Sequence, residues 1–395
     1  MNAPDKLSLT IRLPTESRAL EPFTLSAPRD FPAKAVRAFN RVAFAAAHVV
    51  ADPLSAKDPW LEPAIDWDAT LAFRRHLWSL GFGVAEAMDT AQRGMGLDWA
   101  NSLELIRRSV AASREFPGAV MASGAGTDHL APRPDLSIPE VIAAYEEQCA
   151  AVEGAGSRII LMASRALAAC ARSPEDYVEV YGRILGQVKE PVIIHWLGEM
   201  FDPALAGYWG RADHYEAMDI ALAIIRANAA KIDGVKISLL DKQKEIDMRR
   251  QLPAGVRMYT GDDFNYAELI DGDEKGHSDA LLGIFDATAP AASAALAALA
   301  AGDGKSFHEI FAPTVPLSRH IFRAPTRFYK TGVVFMAWLN GHQKHFVMVG
   351  GQQSTRHIVH FAEIFRLADR AGLLRDPELA VARMKHLLAV SGVEG

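Results

Sequence analysis

The chain has 395 residues, half of them hydrophobic, with 42 Lys and Arg against 48 Asp and Glu for a formal net charge of −6. A chain of this size buries a large core, as one barrel-type domain or two smaller ones, and its mildly acidic balance argues against nucleic acid as the main partner. The opening segment MNAPDKLSLTIRLP lacks the apolar core of a signal peptide, and the alanine-rich run 291–301 is too short and too weakly apolar to span a bilayer.

The predicted elements begin with a hairpin, Leu7–Leu13 and Glu21–Leu25, read as an appendage to the core. A repeating unit follows. Val42–Val50 is a continuous apolar run, and Asp66 opens a helix-period stretch with Leu71, Leu77 and Trp78. Phe82–Met88 is the second run, with a helix from about Asp98, and Gly118–Ser123 is the third. Ser137-Ile138-Pro139-Glu140 then has the form of a capping box. Arg158–Ala163 is the fourth strand, and Ser173-Pro174 starts its helix. Pro191–Trp196, Ile232–Ser238, Gly255–Thr260 and Ala280–Asp286 are the fifth to eighth, with a long helix at Tyr215–Ala230 after the fifth.

Short buried strands alternating with amphipathic helices predict a parallel sheet, and eight units over roughly 250 residues fit a (β/α)₈ TIM barrel. A doubly wound open sheet is the rival, but no G-x-G-x-x-G turn follows the first strand. From Pro290 the pattern is helical only, which predicts a C-terminal helical extension containing Tyr329–Leu339 and Thr355–Ala371. The expected division is 1–35 for the hairpin, 36–303 for the barrel and 304–395 for the helical region. Cys149 and Cys170 fall in helix-like patterns, as expected of reduced thiols in a cytoplasmic protein, and no CxxC or closely spaced Cys/His cluster marks structural zinc.

In such a barrel chemistry sits at the C-terminal ends of the strands. The residues there are His48, Asp89, Thr90, Arg93, Asp128, His129, Ser164, Arg165, His195, Glu199, Lys236, Asp241, Asp262, Asp263 and Asp286. Lys236 stands out. It lies inside the apolar run Ile232-Asp233-Gly234-Val235-Lys236-Ile237-Ser238, where burial disfavours the ammonium, and a neutral amine is what attack on a carbonyl requires. Alone, the run reads more readily as the strand end of a lysine that snorkels to solvent or pairs with an acid, and the order of the stretches around it is what favours catalysis.

The order of the stretches resembles that of the dihydrodipicolinate synthase / N-acetylneuraminate lyase superfamily of Schiff-base aldolases, as a divergent member, from about Val42 to Leu374. Gly234-Val235-Lys236 looks like the family's G-[IV]-K sixth strand, whose lysine forms the imine. Tyr259-Thr260-Gly261-Asp262-Asp263 is similar to its S-G-D-D, Leu282–Pro290 to its eighth strand, and Pro191–Trp196 to its P-V-I-L-Y-N. Gly81–Leu97 aligns without a gap on the second strand and the G-T-T-G-E loop, and Tyr329-Lys330 and Gly341 resemble a lysine and a glycine of the tail. The departures are local. His195 stands where the family has a proton-relaying tyrosine, the carboxylate-cradling Thr-Thr pair becomes Thr90-Ala91, and its flanking Gly and Glu become Asp89 and Arg93.

The resemblance implies catalysis by Lys236, as the imine-forming amine, and His195, as the proton shuttle. The implied substrate-binding set is Asp89, Thr90, Ala91, Arg93, Ser238, Asp262 and Asp263, with Asp262 and Asp263 also read as loop anchors. The expected activity is that of a lyase or aldolase on a keto acid or keto-sugar-like substrate, not plain pyruvate, with no cofactor and no metal. A small-molecule carbonyl substrate, no nucleic acid, no membrane and a homo-oligomer, dimer or tetramer, complete the expectation. Two alternatives stay open. Glu86, Asp89, His129, His195, Glu199 and Asp262 are metal-ligand types, as a divalent-metal sugar isomerase or aldolase would use, and a non-catalytic metabolite-binding barrel would need no relay.

Overall fold

The computed structural model describes residues 9–89 and 92–393. Strands β1 (Thr10–Pro14) and β2 (Leu20–Thr24) pair antiparallel. The next eight are β3 (Ala43–Ala46), β4 (Gly83–Glu86), β5 (Met121–Ala125), β6 (Arg158–Leu161), β7 (Val192–Leu197), β8 (Ile232–Ser238), β9 (Arg257–Thr260) and β10 (Asp279–Leu282). They close in sequence order into a parallel barrel, β10 returning to β3, so the predicted TIM barrel with an N-terminal hairpin and a helical C-terminal extension is the observed fold.

Strand alternation decides what faces the lumen. Phe44, Ala85, Ala122, Ile160, Ile193, Tyr259 and Leu281 make one buried cluster inside the barrel, while Val235 and Ile237 of β8 join the larger core beneath the helices. On β8 the inward set is therefore Gly234, Lys236 and Ser238, and Lys236 registers with His195 on β7 and Tyr259 on β9. The helices start where the sequence supplies caps. Asp66 accepts from the Ala69 amide at 3.0 Å, and Glu140 closes its box on the Ser137 amide at 2.8 Å.

Two expectations are corrected. The eighth strand stops at Leu282, and the helix that follows, Ile284–Ala300, starts six residues before Pro290 and carries that proline inside it. The cause is a cap from a neighbouring loop: Asp263 Oδ1 accepts the Ile284 amide at 2.9 Å, so Asp286 belongs to a first helical turn. The hairpin, in turn, is not an appendage. Ile11 and Leu13 are buried, Phe23 meets Phe365 edge-on at 6.4 Å, and Arg366 donates to the Leu13 and Pro14 carbonyls at 3.1 and 3.2 Å. Both oxygens of Asp369 accept the Ser26 amide at 3.1 Å, which ties the hairpin to the tail helix Ile358–Arg370.

One buried acid makes stability depend on pH. Glu245, in helix Lys242–Arg249, accepts from Thr260 Oγ1 at 2.9 Å and Ser278 Oγ at 2.7 Å. Burial, with the Asp262 charge, pushes its carboxyl up to about 8 against those hydrogen bonds. Because the folded value lies above the ordinary 4.5, its contribution to stability is full below about 4.5 and is lost as pH rises through about 8. Glu245→Gln is expected to flatten that part of the profile, by roughly 1.4 kcal/mol per unit of pH at most. Denaturant titrations at a series of pH values check it. An unchanged slope in the variant would show that Glu245 is not the titrating group.

Candidate active site

Lys236 is 7% exposed, and among the described residues its amine forms no ion pair. Burial draws its pKa down to about 8, the nearby Lys330 charge adds to the fall, and Asp263 and Asp89 oppose it. Gly261, next after β9, leaves room for the lysine stem, since a Cβ there would come within 2.8 Å of Lys236 Cε and 2.5 Å of the Ile237 carbonyl. Asp263 shifts the opposite way. Burial raises its carboxyl to about 7, with Asp262 and Asp89 adding to the rise, while Lys236 and the Ile284 amide restrain it. The amine and the acid are both drawn towards neutrality.

The helical tail enters the same site. Tyr329 and Lys330 open helix Tyr329–Leu339, and Lys330 Nζ lies 2.5 Å from Asp89 Oδ2 and 3.0 Å from the Ala46 carbonyl, which accepts from it. The Tyr329 hydroxyl donates to the same Asp89 oxygen. Its ring stacks on Phe322 at 4.2 Å and faces Phe201 at 6.0 Å, over the end of β10. Gly283 permits this, because a Cβ there would approach both the Tyr329 and Phe322 rings to 3.0 Å. Burial, then the Asp89 charge, holds the phenol far above its ordinary value, so it remains protonated.

A second pair closes the ring. His48 Nδ1 lies 2.8 Å from Asp286 Oδ2, which also accepts the His48 amide at 2.7 Å. Burial would raise the Asp286 carboxyl, but the charges of His48 and Lys330 and the hydrogen bonds from His48 prevail and lower it. His195 is less engaged. Its Nε2 lies 3.4 Å from Ser238 Oγ, and its buried Nδ1 has no hydrogen-bond partner among the described residues. Burial and then the Lys236 charge hold its pKa well below the ordinary 6.5, which leaves a neutral imidazole beside the amine.

The structure thus brings together Lys236, His195, Ser238, Asp263 and Asp89 of the predicted set. It uses two others elsewhere. Asp262 accepts from the Phe264 amide at 2.8 Å, the Asn265 amide at 3.1 Å and the Asn265 side chain at 2.8 Å, which builds the turn after β9. All five N–H groups of Arg93 have internal acceptors in Asp128, Gln148 and the Ala87 and Gly124 carbonyls, so none is left for a ligand. Thr90 and Ala91 lie outside the described residues.

The metal-ligand types scatter. Glu86 chelates the buried Arg74 at 2.8 and 2.9 Å, His129 pairs with Glu147 and Glu199 with His214. Among the described residues no group of three or more His, Cys, Asp or Glu is arranged to hold a metal ion. Sequence reasoning missed the parts played by Tyr329 and Lys330 and the His48–Asp286 pair. The signal for Lys330 is the one that exposed Lys236, a single lysine at the edge of an apolar run, here Thr331–Leu339.

A family model described as "Protein of unknown function (DUF993)" matches residues 11–393. No curated protein matches the chain. Among solved structures it is similar to dihydrodipicolinate synthase from Thermotoga maritima, with TM-score 0.61 and 13% identity over 86% of this chain and 100% of that one. The enzyme from Cyanidioschyzon merolae, solved with lysine bound, gives 0.62 and 14% over 84% and 98%. That from Aquifex aeolicus gives 0.59 and 12% over 89% and 98%. At such identities the likeness is one of fold. Among the described residues no helix is long and apolar enough to cross a membrane.

Proposed function

We propose that this chain, which belongs to the DUF993 family, is a lyase or aldolase that forms a Schiff base between Lys236 and a keto acid or keto-sugar-like substrate. The observation that carries the reading is the contrast between two buried lysines. Lys330 is held by Asp89, whereas Lys236 stands in the lumen without an ion pair among the described residues and with its pKa drawn down. A desolvated amine of that kind is a nucleophile near neutral pH. The shared fold with dihydrodipicolinate synthases supports the class of reaction and leaves the substrate open.

In the proposed sequence the neutral Lys236 amine adds to the substrate carbonyl, and loss of water gives a protonated imine. The imine accepts the electron pair of an adjacent carbon–carbon bond as that bond breaks, forming an enamine and releasing the other fragment as a carbonyl compound. Where a carbon–oxygen bond breaks instead, loss of the α-proton forms the enamine, which expels the β-oxygen as water with that bond's electron pair and leaves an unsaturated imine. A proton returned to the enamine carbon and hydrolysis of the imine release product and amine. His195, a neutral ring beside the amine, and the Tyr329 hydroxyl, which donates to Asp89, are the groups placed to move those protons. Ser238 and Asp263 face the same space and would hold substrate hydroxyls.

The test is reductive trapping with borohydride over a panel of keto acids and keto sugars, read by intact-mass spectrometry as a function of pH. Trapping is expected to rise with pH and level off above about 8, where the Lys236 amine is neutral, and not to keep climbing towards the ordinary 10.5. A profile that follows the ordinary lysine value would sink the assignment. A homo-oligomer in the cytoplasm is part of the reading, its assembly supported by the exposed side chains of Leu54, Trp60 and Leu61 on one loop. Light scattering is expected to report at least a dimer, and Trp60→Ser to shift it towards monomer. A monomeric wild type would remove that part.

A further inference from the structure

A cavity of 410 Å³ opens between the extended segment 28–33 and helices Trp67–Ser79, Ile284–Ala300 and Tyr329–Leu339. Its polar lining includes Arg29, His76, Asp286, Asn340, His342 and Arg375, and apart from Asp286 none of these serves the lysine site. We propose that this cavity is a second binding site, for a small metabolite bearing a carboxylate or phosphate group. The proposal does not depend on imine chemistry at Lys236.

Charge balance is the first argument. Neither Arg29 nor Arg375 forms an ion pair among the described residues, although both stand at the cavity. Each is placed by its main chain, the Arg375 amide donating to Asn340 Oδ1 at 3.0 Å and the Arg29 amide to the Gly372 carbonyl at 3.2 Å. Their side chains are thereby left for other work. Among the described residues the Arg29 guanidinium makes only a long hydrogen bond, 3.4 Å, to the Glu309 carbonyl and lies 5.1 Å from the Phe31 ring centre. The acids present do not neutralise them. Asp286 is engaged by His48 through ring and amide, and Asp30 stands exposed on the bordering segment.

The two imidazoles supply the second argument. The His76 and His342 rings lie 4.5 Å apart at 39°, and neither side chain has a hydrogen-bond partner among the described residues. Burial leads in lowering both, to about 4 for His76 and about 3 for His342, and the Arg375 charge adds to each fall. Both rings are therefore neutral, each with one N–H to donate and one nitrogen to accept. Guanidinium groups without a counter-ion beside ring N–H groups without an acceptor are what a carboxylate or phosphate completes. A hydroxyl on the same ligand would use the acceptor nitrogens.

The test titrates the full chain with inorganic phosphate and, separately, with succinate, by calorimetry and by NMR of the histidine ring signals. Saturable binding of at least one probe is expected, with the His76 and His342 signals moving, and the two arms distinguish a phosphate site from a carboxylate site. Arg375→Gln changes an exposed residue and is expected to weaken binding at least tenfold without moving the melting temperature. Arg29→Gln is expected to act in the same direction. The proposal is overturned if neither probe saturates at millimolar concentration. It is equally overturned if binding survives both substitutions or leaves the two ring signals unmoved.

Discussion

Lys236→Ala is expected to abolish the borohydride-trapped adduct and to lower turnover by roughly 10³-fold or more, because the variant lacks the amine that forms the imine in the proposed reaction. The fold should be spared. Among the described residues Lys236 makes no ion pair that the change would break, and removal of a buried ammonium relieves a desolvation cost. Intact mass before and after reduction, with peptide mapping of the modified site, makes the measurement. An adduct that persists in the variant would move the chemistry to another lysine, and Lys330 is the one to suspect, since it lies in the same network.

Lys330→Met separates these two cases and has the largest expected effect on stability. Asp89 would lose the cation that lies 2.5 Å from its carboxylate, in a place where both side chains are buried. Breaking a buried pair from one side costs about 3–5 kcal/mol. The loss is expected in urea or guanidinium midpoints, and Lys330→Met combined with Asp89→Asn should recover much of it. The same variant removes a like charge from Lys236, so the pH at which trapping levels off should move upwards. A loss below about 1 kcal/mol would show that the pair is not held as described.

Much of this was legible in the chain. The barrel follows from eight apolar runs spaced by capped helices, and the inward direction of Lys236 from the two-residue period that also turns Gly234 and Ser238 to the lumen. What the chain concealed were partners rather than places. Asp286 and His48 are 238 positions apart, and Tyr329 and Asp89 are 240 apart, so no local pattern links them. Arg93 shows the converse. Its type suits a ligand carboxylate, but nothing in a linear pattern reveals that Asp128, Gln148 and two carbonyls already use every donor. The end of β10 was hidden for the same reason, because the cap that ends it comes from Asp263 on another loop.

The missing side chain at Gly261 also bears on how ready Lys236 is to react. A lysine on an open surface samples many rotamers, and fixing its four-carbon stem gives up about 2 kcal/mol of side-chain entropy. Here the stem runs through a slot closed on one side by backbone, where even a methyl group would collide with Cε. That freedom is therefore surrendered once, when the chain folds, and not again each time a carbonyl is captured. The amine behaves less like a tethered reagent searching for its target than like one already aimed.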